Sequence, residues 1–373
     1  NPFDPDMASM IHNEMRKHGI KLVLGYTVEG FKEKDNGVEV LLKDNPSLQA
    51  DMVVLAIGVT PDTVLAKEAG LELGIKESIV VNDRMETSVP DIYAAGDAVQ
   101  VKHYVTGNDA LISLAGPANK QGRIIADNIC GGDSRYLGSQ GSSVIKVFDM
   151  TAATTGINET NAKKSGLEVD TVILSPMSHA GYYPGGKVMT MKVVFEKETY
   201  RLLGAQIIGY EGVDKRIDVL ATAIHAGLKA TQLKDLDLAY APPYSSAKDP
   251  VNMAGFMIDN IAKGTLKQWH LEDMDKISRD KSVVLLDVRT VDEFSRGHVD
   301  GFKNIPVDEL RERINEIEKG KPVYLICQSG LRSYIASRIL EGNGYETYNF
   351  SGGFRFYDAV VNDRVLIERA YAC

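Results

Sequence analysis

Val323-Tyr324-Leu325-Ile326-Cys327-Gln328-Ser329-Gly330-Leu331-Arg332-Ser333 runs four apolar or aromatic residues straight into a cysteine and a short polar loop. Tyr334-Ile335-Ala336-Ser337-Arg338-Ile339-Leu340 then carries helical periodicity. The pattern predicts a buried parallel strand, a tight loop and a helix beginning at about Ser333. Amides of such a loop point inward, and the helix dipole adds partial positive charge. A cysteine at its base is therefore expected to have a depressed pKa and to exist partly as thiolate. Arg332 adds a full positive charge at the rim, where it is expected to draw in anionic sulfur donors. The plainer alternative is a structural cysteine after a core strand. Gly330, Arg332 and the strand–loop–helix context together favour the chemical reading.

Four residues, Gln328 to Leu331, separate Cys327 from Arg332. Cysteine phosphatases use a similar cradle with five, and the shorter loop suits a sulfur atom carried on the cysteine better than a phosphate group. The stretch resembles the active-site loop of a rhodanese, which carries sulfur as a cysteine persulfide. Leu285-Leu286-Asp287-Val288-Arg289, Glu293-Phe294, Gly297-His298-Val299, Asn304-Ile305-Pro306 and Gly352-Gly353 agree with it. The resemblance covers roughly Gln268 to the C-terminus. It implies that Cys327 and Arg332 act in catalysis and that Gln328, Ser329, Gly330, Leu331 and Ser333 hold the substrate.

The chain has 373 residues, enough for two or three domains. A net charge of −9 argues against nucleic-acid binding. No apolar run approaches the ~20 residues that span a membrane. Three cysteines, Cys130, Cys327 and Cys373, are too few for a disulfide scaffold and fit a reducing cytoplasm. The seven histidines form no zinc-spaced cluster.

Taken in order, Asp6–His18 reads as an amphipathic helix and Lys21–Leu24 as a short strand. Thr27–Lys34 and Gly37–Leu42 read as a hairpin turning at Asp35-Asn36-Gly37. Asp51–Gly58 reads as a buried strand ending on glycine, with a helix from Val59-Thr60-Pro61-Asp62 to Ala69. A strand at Ile79–Val81 follows. Ile92-Tyr93-Ala94-Ala95-Gly96-Asp97-Ala98 is an apolar strand that places a carboxylate at the edge of a sheet, where α/β folds bind ligands. Asp97 as a plain helix N-cap is the alternative. The next helix follows Leu114, and Cys130 at its end is expected to be buried.

Strands are expected at 144–148, 152–156, 171–174, 188–195 and 202–209, and helices at 158–164, 212–225 and 231–236. Two proline-stiffened loops are rich in tyrosine: His179-Ala180-Gly181-Tyr182-Tyr183-Pro184-Gly185 and Ala239-Tyr240-Ala241-Pro242-Pro243-Tyr244-Ser245. Their phenols either pack an interface or point into an active site. Beyond the linker at 263–270, strands at 283–287, 323–326 and 347–350 alternate with helices at 307–319 and 333–341, giving a parallel α/β domain.

Thr87 to Asp97 resembles the second flavin-binding motif of the pyridine nucleotide-disulfide oxidoreductases. Gly-Pro-Ala-Asn-Lys-Gln-Gly-Arg (116–123), Tyr-Tyr-Pro-Gly (182–185), Asp-Lys-Arg-Ile-Asp-Val-Leu (214–220) and Tyr-Ala-Pro-Pro-Tyr-Ser (240–245) resemble the coenzyme A-disulfide and NADH-dependent persulfide reductases with a fused rhodanese. The resemblance implies α/β and α+β domains in four parts. These are the C-terminal part of an NAD(P)-binding domain (1–73), the C-terminal part of an FAD-binding domain (74–138), a dimerisation domain (139–264) and a rhodanese domain (265–373). Neither a Gly-x-Gly-x-x-Gly nor a cysteine before Cys130 occurs, so residue 1 is expected to fall inside the NAD domain.

The same resemblance implies FAD held by Gly96, Asp97, Ala98, Pro117, Ala118, Asn119 and Gly58, together with NAD(P)H and with CoA as substrate or ligand. It implies catalytic roles for Tyr182 and Tyr240, substrate contacts from Tyr183 and Tyr244, a cytoplasmic homodimer, and small persulfides or disulfides as partners. A stand-alone sulfurtransferase on a dimerising scaffold, or a sulfur carrier without turnover, are the other readings.

Overall fold

The computed structural model describes residues 2–371, with side chains through residue 368; Cys373 lies outside the described residues. The chain forms two compact units, one built from the segment up to residue 17 with residues 140–364, the other from residues 18–139 with the chain from 365 on. The opening helix α1, Pro5–Lys17, thus counts with the first unit rather than with the segment that follows it.

In the second unit, β1 (Val28–Lys34) and β2 (Gly37–Leu42) form the expected antiparallel hairpin, and β3 (Asn45–Ala50) adds a third strand. Gly37 has φ 148°, and a Cβ there would lie 2.4 Å from the Ala50 carbonyl, so only glycine fits this turn. Lys21–Leu24 is irregular, not a strand. So is 51–58, where Met52, Val54 and Ile57 are 75%, 76% and 91% exposed. A parallel strand buried on both faces needs a neighbour at each edge, and no described strand pairs with this run. The helix expected from residue 59 is confined to α2, Val64–Glu68.

A small sheet joins β4 (Ile79–Val80), β5 (Val99–Lys102) and β6 (Asp109–Ala110). Residues 92–95 form no strand, and Gly96–Ala98 is a single 3₁₀ turn. Helix α3, Ala115–Ile129, packs Ile124 and Ile125 with Met85, Val99 and Val101. Cys130 at its end is exposed, contrary to expectation, because the chain leaves the core there through Gly131-Gly132.

The first unit holds two five-stranded sheets. The antiparallel one comprises β7 (Ser143–Val147), β8 (Met150–Gly156), β9 (Val169–Leu174), β10 (Met189–Glu196) and β11 (Leu202–Gly209), ordered β7-β8-β11-β10-β9. Helix α4 (Glu159–Lys164) connects β8 to β9, and α5 (Val213–His225) covers β8 and β11. Residues 230–235 form a 3₁₀ turn, and α6 (Pro250–Ala262), not foreseen, closes the layer behind Asp249 as N-cap.

The second sheet is parallel, ordered β12-β16-β15-β13-β14: β12 (Gln268–Trp269), β13 (Val284–Asp287), β14 (Lys303–Asn304), β15 (Val323–Ile326) and β16 (Thr347–Phe350). Short helices α7 (Met274–Ile277) and α8 (Val291–Ser295) precede α9 (Leu331–Glu341) and the long α10 (Gly353–Tyr371). The helix expected at 307–319 is instead a run of turns with one 3₁₀ segment at Ile314–Glu316. Leu310 and Ile317 still reach the core from those turns.

These two sheets share a buried seam. The Ser351 hydroxyl accepts the Ile173 amide of edge strand β9 at 3.0 Å, and Gln268 donates to the Thr171 carbonyl at 2.8 Å. Both bonds cover an edge that would otherwise stay open. Met7 of α1 packs with Ile173, Phe356 and Val360, while Asp363 of α10 pairs with His12 and Arg16.

Beside the seam lies Lys192, 1% exposed, with its ammonium 2.7 Å from Asp6, 2.7 Å from Glu159 and 3.2 Å from Asp4. Burial works against its charge, but the three carboxylates outweigh that and hold its pKa above the usual value. Burial would also raise Asp4 and Glu159; Lys192 overrides it and both sit below the usual carboxylate range. For Asp6 burial wins, and its pKa is raised. Lys192→Met would leave buried negative charge uncompensated. We expect a loss of about 3–5 kcal/mol, read as a lower midpoint of chemical unfolding. A midpoint equal to wild type would rule the network out as a stabiliser.

Candidate functional site

β15 delivers Cys327 into the parallel sheet's carboxyl edge with none of its surface exposed. Gly330 adopts φ 99°, which only glycine takes readily, and this turns its amide onto the Cys327 sulfur at 3.1 Å. Helix α9 starts at Leu331, two residues earlier than expected, so Ser333 falls in its first turn. Its hydroxyl lies 3.1 Å from the sulfur and 3.1 Å from the Gly330 carbonyl. The Tyr334 amide at 3.1 Å and Asn349 at 3.3 Å already donate to that carbonyl and can fill both its lone pairs, which favours the Ser333 proton turning to the sulfur. Two donors aimed at one sulfur favour negative charge on it, whether as thiolate or persulfide.

The far wall is the Ser351-Gly352-Gly353 turn. Phe354 and Arg355 amides donate to the carbonyls of Cys327 at 2.7 Å and Gln328 at 3.2 Å. Gly353, at φ 70°, passes so close that a Cβ would stand 2.6 Å from the Ser329 amide nitrogen and 2.8 Å from the Cys327 carbonyl oxygen. That contact accounts for Gly353, while at Gly352, φ 98°, a Cβ would stand 2.8 Å from the Phe356 ring. Gln328 and Ser329 are thus fixed through their backbone, whereas Leu331 points outward, 66% exposed.

Arg332 does not stand as a free cation. Both arms of its guanidinium grip Glu293 of α8, at 2.6 and 2.7 Å. These bonds hold the Glu293 carboxyl at about 2, against the opposing effect of burial, with further help from the Thr290 amide. The same hydrogen bond raises Arg332. Arg289 is likewise engaged, bidentate with buried Asp287 at 2.7 to 3.1 Å and stacked 3.8 Å over the Phe354 ring. Glu293 stands in the quoted motif, yet its role as the partner of Arg332 was not foreseen; thirty-nine residues separate the two.

The two tyrosine loops meet around a cleft of about 470 Å³, lined by Ser178, His179, Lys215, Arg216, Tyr240 and Tyr244 among others. Tyr182 and Tyr240 share a hydrogen bond between their hydroxyls at 2.7 Å, though both are exposed. That bond, then burial, raises the Tyr240 pKa, keeping its phenol protonated and able to donate. Tyr183 stands edge-on to His179, and the Tyr244 side chain is exposed.

What fixes both loops is Arg216, 1% exposed on α5, which stands in the 214–220 motif, where the sequence alone assigns it no role. Its guanidinium donates to the Ser178 carbonyl at 2.9 Å, the Tyr244 carbonyl at 3.3 Å, the Ser245 hydroxyl at 3.1 Å and the Gly212 carbonyl at 3.1 Å. Asp249 takes the charge at 2.9 Å while capping α6.

In the other unit, Gly96 at φ 84° would place a Cβ 3.9 Å from that of Ala118, so the Gly96-Asp97-Ala98 turn rests on the first turn of α3. Gln121, not foreseen, accepts the Gly96 amide at 2.7 Å. The Asp97 carboxylate is exposed beside the helix N-terminus, where first-turn amides have no partner within the helix. A hydroxyl-rich or anionic ligand suits this pairing, so these residues fit FAD. Pro117 and Ala118 are half-buried there, and Asn119 turns back to the Ala115 carbonyl at 2.9 Å. Gly58 stands apart, in exposed irregular backbone. Among the described residues no cluster could hold a metal, and no helix is long and apolar enough to cross a membrane.

Comparison with known proteins matches residues 1–122 to the pyridine nucleotide-disulphide oxidoreductases, 142–250 to the dimerisation domain of the same family, and 270–359 to a rhodanese-like domain. Among solved structures, reduced CoADR-RHD of Bacillus anthracis is 46% identical with a TM-score of 0.93, covering 97% of this chain and 65% of that one. A NAD-dependent persulfide reductase from A. fulgidus is 40% identical with a TM-score of 0.87, covering 95% and 65%. A CoA-dependent NAD(P)H sulfur oxidoreductase of Pyrococcus abyssi is 36% identical over 67% of this chain and 55% of its own length. This chain therefore spans about half the length of the curated relatives it matches. Reductase-family matches along 1–122 and 142–250 set aside a stand-alone sulfurtransferase. The chain belongs to the pyridine nucleotide-disulphide oxidoreductase family and carries a rhodanese-like domain at its C-terminal end.

Proposed function

We propose that this chain serves a flavin-dependent NAD(P)H reductase of persulfides or CoA-type disulfides in which a rhodanese domain supplies the sulfur. The observation that carries the reading is the Cys327 sulfur, held at the end of a parallel strand with Gly330 and Ser333 donating to it at 3.1 Å each. Such a cradle stabilises a sulfur anion, the form needed both to accept sulfane sulfur and to retain it. The family implies FAD and NAD(P)H, and bound FAD would supply the two-electron step that splits a sulfur–sulfur bond. This chain's own contributions are then distinct. Asp97 and the α3 N-terminus hold a ligand, the tyrosine cleft offers phenol protons, and Cys327 holds sulfur. CoA as substrate is supported by the CoA dependence in the name of the Pyrococcus relative. The dimerisation domain supports a homodimer in which the cleft of one subunit serves the other.

Cys327→Ser is nearly isosteric, so it should keep the fold and abolish sulfur loading. Mass spectrometry after treatment with a sulfur donor should show about one added sulfur on the wild-type Cys327 peptide. Loading on Cys130 instead, or sulfurtransferase activity surviving in the serine variant, would overturn the assignment.

Tyr182→Phe and Tyr240→Phe each remove one hydroxyl of an exposed pair and should leave assembly intact. Because the pair is hydrogen-bonded, either replacement should slow substrate reduction, on the order of 10²-fold if the phenol is a general acid. Wild-type turnover in both would make them packing residues only. Asp97→Ala should lower flavin occupancy in the flavin-loaded protein, through loss of one charge-assisted bond of roughly 1.5–3 kcal/mol. The ratio of flavin to protein absorbance measures this, and full occupancy in the variant would refute the role.

A further inference from the structure

We propose that Ser351 is a positioning residue for sulfur transfer: through it, edge strand β9 of the antiparallel sheet holds the Cys327 loop in the shape that stabilises a sulfur anion. The proposal rests on Cys327 as the sulfur carrier and adds what sets its loop. β9 lies at one end of its sheet, so its outer backbone groups must find partners elsewhere. Ile173 stands opposite Lys192 of β10, yet its amide turns outward, to the Ser351 hydroxyl at 3.0 Å. Ser351 is 2% exposed and comes directly after β16, at the head of the turn that walls the Cys327 loop.

That turn cannot set its own position. Gly352 and Gly353 follow one another at φ 98° and 70°, and consecutive glycines have the widest backbone freedom. Its fixed points are the residues on either side. Ser351 is tied to Ile173, and its own amide donates to the Trp269 carbonyl at 3.0 Å. Phe354 is held on the parallel-sheet side, beneath the Arg289 guanidinium. Phe356, 1% exposed, shares one buried cluster with Ile173, Ile208 and Met7, and its ring lies against Gly352. Ile173 thus bears on the turn from both ends, through its amide and through the cluster that its side chain joins.

On its other face the turn grips the loop. The Phe354 and Arg355 amides hold the Cys327 and Gln328 carbonyls at 2.7 and 3.2 Å, and the Gly353 backbone leaves no room for a methyl group against the Ser329 amide. The same short loop carries the Gly330 amide that donates to the sulfur at 3.1 Å. A turn that drifts carries the loop with it and loosens the donors aimed at sulfur. Ser351, Ile173 and Phe356 bear no charge, and the ion pairs that flank the loop, Arg332 with Glu293 and Arg289 with Asp287, do not involve them. The influence of Ser351 on the sulfur therefore travels through backbone geometry.

The test follows the rate of Cys327 alkylation by iodoacetamide across pH in the reduced, flavin-loaded protein, with the Cys327 peptide resolved by mass from those of Cys130 and Cys373. Alkylation reads the thiolate and needs no sulfur donor. Ser351→Ala removes the acceptor of the Ile173 amide. Its rate at about pH 7 should fall roughly fivefold, with the midpoint of the profile moving up and the plateau at high pH unchanged. Gln268→Ala is the matched control. It takes away another bond to β9, the one to the Thr171 carbonyl at 2.8 Å, but touches no part of the turn, and its profile should overlay that of wild type. Phe356→Leu keeps the Ser351 bond and withdraws the ring against Gly352. It should move the profile in the direction of Ser351→Ala, which keeps the test open if the alanine variant folds poorly. Wild-type profiles in Ser351→Ala and Phe356→Leu, or an equal displacement in Gln268→Ala, overturn the positioning role. Displaced profiles with no sulfur gained by wild-type Cys327 from a sulfur donor overturn the carrier reading beneath it instead.

Discussion

A buried guanidinium persists only where its charge and its N–H groups are answered, and Arg216 meets that condition by drawing four segments together. Its partners are the Ser178 turn, the Gly212 carbonyl one helical turn back, the Tyr244-Ser245 segment and Asp249 at the head of α6. None of these can move without leaving an N–H or the Asp249 carboxylate unpaired in a low-dielectric site, which costs more than the net worth of the pair. The tyrosine cleft is thus a by-product of satisfying one arginine. Its walls are loops by backbone conformation but rigid by hydrogen bonding. Exposed phenols on such loops keep a fixed spacing, and this is what allows Tyr182 and Tyr240 to meet.

The Cys327 loop reaches rigidity by other means. Its geometry rests on glycine conformations and close backbone approach: Gly330 turns an amide onto sulfur, and Gly353 comes near enough that no side chain could intervene. Charge enters only as matched pairs around the edge, Arg332 with Glu293 and Arg289 with Asp287. The Arg332–Glu293 pair contributes stability that is present above the ordinary glutamate value and is lost as pH falls toward about 2. Across neutral pH the frame of the loop is therefore insensitive to protonation.

Much of this was legible in the sequence, and the parts that were not share a physical cause. Strands β8 to β11 are antiparallel neighbours in a sheet whose residues are almost all buried, so largely apolar runs such as 202–209, interrupted by Gln206, announced them. Cys327 and its loop were legible because a strand end, a glycine and a helix start are local features. Partnerships across sequence were not. Arg216 with Asp249, Arg332 with Glu293 and Lys192 with Asp4, Asp6 and Glu159 bridge 33, 39 and up to 188 residues, the last from 192 − 4. Helix α10 was hidden by its opening Gly-Phe, and α6 by the prolines around it. At 307–319 the apolar spacing of Leu310, Ile314 and Ile317 mimicked a helix, yet turns bury the same residues. For 51–58 composition promised burial, but burial of a strand is supplied by its neighbours rather than by its own residues.

A common logic joins the two sites of the first unit. In each, the charged residue that a reader would assign to substrate is occupied in holding the fold: Arg216 by Asp249, Arg332 by Glu293. Cations so paired, Arg216 in full burial and Arg332 at the half-exposed rim, make poor receptors, since a new anion would have to compete with an existing partner. Beside Lys215 in the tyrosine cleft, what faces a ligand is neutral and directional: phenol hydroxyls, a serine hydroxyl and backbone amides. Such groups stabilise charge as it develops on sulfur without binding a fully charged ground state tightly. That is the bias a sulfur-transferring site needs if it is to release what it has accepted.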